Sequence, residues 1–246
     1  GNPLAPNGES ENAVWDSDFW AVYHLAEEGD GTSNEFKDST SNRIHGRGGS
    51  GDSDKTPERV LCDFGYGQIF DGNDFIELAL SDELKMSPTY TVSAWFKTTE
   101  APGERGTILH TGRSTDLQTA NHYFWYQNDN ANFWAATGGW IYRTNKAMST
   151  DTWYYMTGKH EGAGGDIKMY LNGSLVDSEP IPSNAYTGWT HKSNLGSDNM
   201  TRYFFDGTIC EARFSATERS DAWIKFEYEN MADPTSVMSW GEEQGT

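Results

Sequence analysis

Val92, Ala94 and Phe96 alternate with Thr91, Ser93, Trp95 and Lys97 over residues 91–98, and this period of two returns along most of the chain. Only an extended strand sends alternate side chains to opposite faces, so the pattern excludes a helical fold. Ile76, Leu78 and Leu80 repeat it within residues 68–80, which read as two strands around Asp71-Gly72. Residues 107–112 supply a further strand. Residues 122–127 and 131–137 are two aromatic strands joined by Asn128-Asp129-Asn130, a hairpin signal. Residues 140–144 and 153–159 follow, then a hairpin over 167–172 and 174–177 around Asn172-Gly173. Residues 204–214 read as a closing pair around Asp206-Gly207. Residues 221–230 alone have helical spacing, with Ser220 as N-cap and Trp223, Ile224, Phe226 and Tyr228 expected on one side. About a dozen short strands at turn-punctuated intervals predict an all-β, two-sheet antiparallel β-sandwich (a jelly roll) with one short C-terminal helix. Its expected extent is 14–243, with 1–13 as a linker or opening strand and 244–246 as a tail.

Such a fold needs a core, and aliphatic residues are scarce: AVILMFWYC make up 35% of the 246 residues, while FWY alone make up 14%. Each buried aromatic removes on the order of 150–250 Å² from water, so the rings can close the core. The net charge of −19 disfavours nucleic acid and anionic membranes as partners, since both need a basic face. No apolar run is long enough to insert in a bilayer. Cys62 and Cys210 are the two cysteines; composition leaves two buried thiols and one disulfide equally open.

The order of local patterns resembles the laminin-G-like jelly rolls of the concanavalin A-like lectin/glucanase superfamily, of the kind found in large bacterial or archaeal envelope proteins. The matching stretches are 14–46 with its Asp38-Ser39-Thr40-Ser41-Asn42 loop, Phe70-Asp71-Gly72-Asn73-Asp74, 91–97, 153–175, 205–214 and 218–230. The resemblance implies a secreted or envelope location as part of a longer chain. It also implies that the strands leading to Phe70 and containing Cys210 are neighbours, hence a Cys62–Cys210 bridge. Cys210 stands where the family usually has Asp.

Hydrolases on this sandwich need a carboxylate pair ~5–5.5 Å apart, carried on one face of a strand. No such Glu-x-Asp-x-x-Glu arrangement occurs, nor do the strand motifs of the lyases, so the expectation is a binding module and no enzyme. Its partner is then a polysaccharide or glycan, or alternatively an envelope protein. For the glycan, Tyr123, Trp125, Trp134, Trp140, Tyr142 and Trp189 offer flat apolar faces for sugar rings, and Arg143 a polar partner. For calcium, which takes 6–8 oxygen ligands, the resemblance and the oxygen-rich loop at 38–46 single out Glu27, Asp38, Asn42 and Glu211. Asx-turn hydrogen bonding without a metal explains the same loop composition.

Overall fold

The computed structural model describes residues 14–63, 65–78, 89–99, 104–111, 121–137, 140–183, 193–198 and 200–237, with backbone only for 121–123, 135–137 and 140–142. In chain order the strands are β1 (Phe19–Tyr23), β2 (Gly46–Gly48), β3 (Glu58–Cys62), β4 (Gly65–Asp71), β5 (Ile76–Leu78), β6 (Tyr90–Thr98), β7 (Arg105–Thr111) and β8 (Asn121–Gln127). They continue as β9 (Asn130–Thr137), β10 (Trp140–Ala147), β11 (Tyr154–His160), β12 (Asp166–Leu171), β13 (Ser174–Pro180), β14 (Ser193–Leu195) and β15 (Asp206–Ser215). Helix α1 (Asp221–Ala232) and the short α2 (Pro234–Val237) close the described chain.

All strand pairs are antiparallel, and they form two sheets. The first runs β13-β12-β11-β6-β15-β4-β3, with β1 also pairing to β15; the second runs β10-β9-β8-β7-β14-β5-β2. The two-sheet sandwich expected from the alternation is the fold observed. Val92, Ala94, Phe96, Met156, Ile167 and Met169 of the first sheet meet Ile76, Leu78, Ile108, Leu109, Phe124 and Phe133 of the second in one apolar core. The strands around Asp71-Gly72 lie in different sheets, so that turn carries the chain across the sandwich.

Two expectations are corrected. Residues 206–215 form one long strand, with no turn at Asp206-Gly207. Gly207 is needed for space: a Cβ there would stand 2.3 Å from the carbonyl oxygen of Lys97. The helix does form from Ser220, whose side chain accepts the Trp223 N–H. Its buried residues, however, are Ile224 and Glu227, while Trp223 and Phe226 are exposed.

A β-bulge between Ile209 and Glu211 sets the outer face of the first sheet. The extra residue lets Ile209 and Ala212 stay in the core while Cys210 joins a second cluster on the opposite face, with Cys62, Trp95 and Tyr155. Glu211, paired with Trp95, is turned the same way. Cys210 is bonded to Cys62, as the family resemblance implied. Tyr228 and Met231 of α1 pack against this cluster.

Candidate functional site

Cross-strand partners share a face, so the register identifies what the second sheet turns away from the core. One row takes in Arg143, Trp134, His110, Asn194, Glu77 and Arg47, with the backbone of Tyr123 joining Trp134 to His110. Beside it runs Asn145, Asn132, Trp125 and Thr107. Phe124 and Tyr126 alternate with Trp125 and belong to the core, as Phe133 does beside Trp134.

The hairpin that builds this face follows from its turn. Asn128 and Asp129 both have positive φ, 51° and 59°, the conformation that Asn and Asp tolerate and that tight hairpins require. The Asp129 carboxylate accepts the Tyr126 hydroxyl at 2.7 Å. The Asn130 amide donates to the Asn128 carbonyl (2.7 Å) and the Asn132 amide to the Asn130 carbonyl (2.9 Å).

The sandwich brings Trp125, Trp134 and Arg143 together. The two indoles lie 4.1 Å apart between centroids, and the Arg143 guanidinium is 6.0 Å from the Trp134 ring. Trp125 is only 1% exposed, which corrects its expected role as a contact platform. What covers it is a residue the sequence reading passed over: Arg105 sits 3.4 Å above Trp125 and 3.9 Å from Tyr203, a cation held between two rings. A basic residue opening an alternating strand next to aromatic strands was the available signal for Arg105; Tyr203, distant in sequence, had none. Trp134 is half-buried and Arg143 exposed, so both reach the surface of this face. The backbones of Tyr123, Trp140 and Tyr142 pair with Trp134, Thr137 and Ala135, but their side chains lie outside the described residues, as does all of Trp189. At the hairpin end, Gln127, Asn128, Asn130, Asn132, Arg143 and Asn145 line a pocket of about 170 Å³.

Farther along the same face lies a buried polar cluster. The Asn194 amide donates to His110 Nδ1 at 3.1 Å, which leaves the ring proton on Nε2, 4.0 Å from Asp198. Ser197 donates to Asn194, and Arg202 to Asp198. Burial pushes His110 down to about 3, with nearby Arg202 acting in the same direction, so the ring is neutral at ordinary pH.

The residues expected to hold calcium are engaged otherwise. Asp38 Oδ1 accepts the N–H groups of Val22 (3.0 Å) and Thr40 (2.9 Å); Oδ2 accepts Ile44 N–H (2.9 Å) and the Thr40 hydroxyl (2.8 Å). Four donors occupy the acceptor sites of that carboxylate and fix the loop. Asn42 donates its amide N–H to the carbonyls of Phe19 (3.3 Å) and Trp20 (2.9 Å), which ties the loop to β1. Glu27 accepts Lys37 N–H through one oxygen. Glu211 pairs with His24 at 2.9 Å and Arg213 at 2.8 Å. Among the described residues no three His, Cys, Asp or Glu side chains are grouped to hold a metal, so this set does not fit the ion.

A family model described as the concanavalin A-like lectin/glucanases superfamily matches residues 70–225. The chain belongs to that superfamily. No curated protein matches it. Among solved structures it is similar to the ligand binding domain of botulinum neurotoxin serotype D in complex with N-acetylneuraminic acid, with a TM-score of 0.67 and 16% identity over 87% of this chain and 51% of that one. The serotype D binding domain gives 0.66 and 16% over 90% and 53%, and the serotype G binding domain 0.65 and 13% over 87% and 51%. The superfamily member described here thus spans about half of those chains, and at this identity the likeness is one of fold.

Proposed function

We propose that the chain is a non-catalytic carbohydrate-binding or adhesion module of a secreted or envelope protein, acting through the outer face of β8–β10. The observation that carries this is Trp134, half-buried at the centre of that face, flanked by Arg143 and by a pocket walled with amides. A sugar ring offers C–H groups to an indole and hydroxyls to amides, and this is the pairing such a surface provides. The neurotoxin domain in complex with N-acetylneuraminic acid supports the reading through its fold alone. The disulfide supports a location outside the reducing cytosol.

The non-catalytic part of the proposal rests on the carboxylates. Among the described residues Asp74, pushed up to about 6 mainly by burial, is the carboxyl group most displaced toward acid catalysis. Its oxygen accepts the Asp71 backbone N–H at the crossing between the sheets, a structural task.

The test is a glycan array with the intact chain. Retention of a defined set of saccharides, lost in Trp134→Ala with little change in melting temperature, is the expected result. Silence across the array, or unchanged binding by that variant, overturns the proposal. A second reading, docking to an envelope protein, draws on Leu61, Tyr66 and Ile69, which stand 75%, 48% and 44% exposed on β3 and β4. Capture of a defined envelope protein that is lost in Leu61→Ser, with no saccharide bound, favours it.

A further inference from the structure

The chain carries 37 acidic against 18 basic residues, yet none of the six residues lining the pocket on β8–β10 is acidic. Five are amides and the sixth is Arg143. The Arg143 guanidinium has its recorded contact with the Trp134 ring, and no carboxylate partners it among the described residues. The acids nearby in sequence or space are committed elsewhere. Asp129 takes the Tyr126 hydroxyl. Asp177 accepts the Asn145 N–H at 2.8 Å through one oxygen and the Ser178 N–H through the other.

A guanidinium offers a planar fork of donors that matches a carboxylate, and in an acidic protein an unpaired one is free to attract an anion. The amides fit the remainder of such a ligand. Asn130 and Asn132 each spend an amide N–H on a backbone carbonyl, which leaves their Oδ1 atoms as acceptors for hydroxyl donors. At about 170 Å³ the space is several times the ~30 Å³ that a liquid water occupies, so it suits a ring better than a single small ion. Trp134 lies across the strand pair from Arg143, with its ring 6.0 Å from the guanidinium, beside the pocket.

We propose that this pocket takes a carboxylated sugar residue, a hexuronate or a sialate, with its carboxylate paired to Arg143 and its hydroxyls on the Asn amides. This rests on the saccharide reading above and narrows it to acidic glycans. The experiment is calorimetric titration of the intact chain with two acid–neutral pairs: 3′-sialyllactose against lactose, and tri-galacturonate against its methyl ester. One acid should bind at least tenfold more tightly than its neutral partner, and which pair responds distinguishes sialate from uronate. Arg143→Gln should remove that margin, cutting acid binding about tenfold, the loss of one charge-assisted contact, so that the acid binds no more tightly than its neutral partner. Arg143→Lys, which keeps the charge but loses the fork, should recover only part. Equal binding of acid and ester overturns the carboxylate assignment while the saccharide reading stands. Acid preference that survives Arg143→Gln overturns the placement. No binding of any of the four overturns both.

Discussion

The first sheet turns outward onto helix α1, the Cys62–Cys210 bridge and a chain of buried charges; the β8–β10 end of the second turns outward onto indoles, amides and the exposed Arg143 guanidinium. Both faces carry arginine beside aromatic rings, but the arginines are handled differently. Arg213 pairs with Glu211 at 2.8 Å and with Glu227 at 3.1 Å, and Glu227 in turn accepts the Tyr155 hydroxyl. Burial raises Glu211, yet Arg213 and His24 outweigh it and hold the carboxyl below its usual range. Among the described residues Arg143 meets a ring and no carboxylate. Neutralised charge under a helix is a stabilising arrangement; accessible charge beside amides is a recognising one. The comparison teaches that this sandwich spends one outer face on stability and keeps the other for contact.

Removing the bridge is the harshest test of that division. Cys62→Ser with Cys210→Ser frees a 148-residue separation, worth about 5 kcal/mol in the chain-entropy view, and should lower the melting temperature by roughly 10 °C or more. Glycan binding by the protein that remains folded should be unchanged. Glu227→Ala comes next: it leaves Arg213 and the Tyr155 hydroxyl with one fewer acceptor under the helix, at a cost of roughly 3 kcal/mol by denaturant unfolding. A larger effect on binding than on stability in either variant would break the comparison.

The pH dependence sharpens it. His110 has a folded pKa of about 3, below its ordinary 6.5, so the unfolded chain binds the extra proton between those values. Its stabilisation is therefore complete above pH 6.5 and is lost as pH falls toward 3. Between pH 6.5 and 5 the loss should be about 2 kcal/mol, and His110→Gln should flatten that part of the stability profile. His24 has the opposite sign: the Glu211 hydrogen bond raises it, against burial. Its contribution is full below pH 6.5 and fades as pH rises through the raised value, so His24→Gln should remove a smaller decline on the alkaline side.

Local patterns carried most of the fold. The alternation at Val92, Ala94 and Phe96 marked β6 and the core, and Asn128-Asp129 marked the hairpin that builds the candidate site. The misreadings arose where a residue type has two physical uses. Gly207 looked like a turn because the close approach of the Lys97 carbonyl leaves no trace in sequence. Trp223 and Phe226 looked like packed helix residues, but the face that turns inward carries Ile224 and Glu227, whose partner Arg213 lies on another element. Trp125 looked like a platform because Arg105, which covers it, comes from the neighbouring strand. Asp38 and Asn42 looked like ion ligands because loops closed by carboxylate-to-amide bonds use the same residues.

The bulge in β15 has a consequence for how this chain tolerates insertion and deletion. Regular pleating would send Cys210 and Glu211 to opposite sides; a single added residue sends both outward and so permits the covalent link and the arginine pair together. Shortening the strand by that one position would force a choice, since restoring even pleating must return one of the two to the apolar interior.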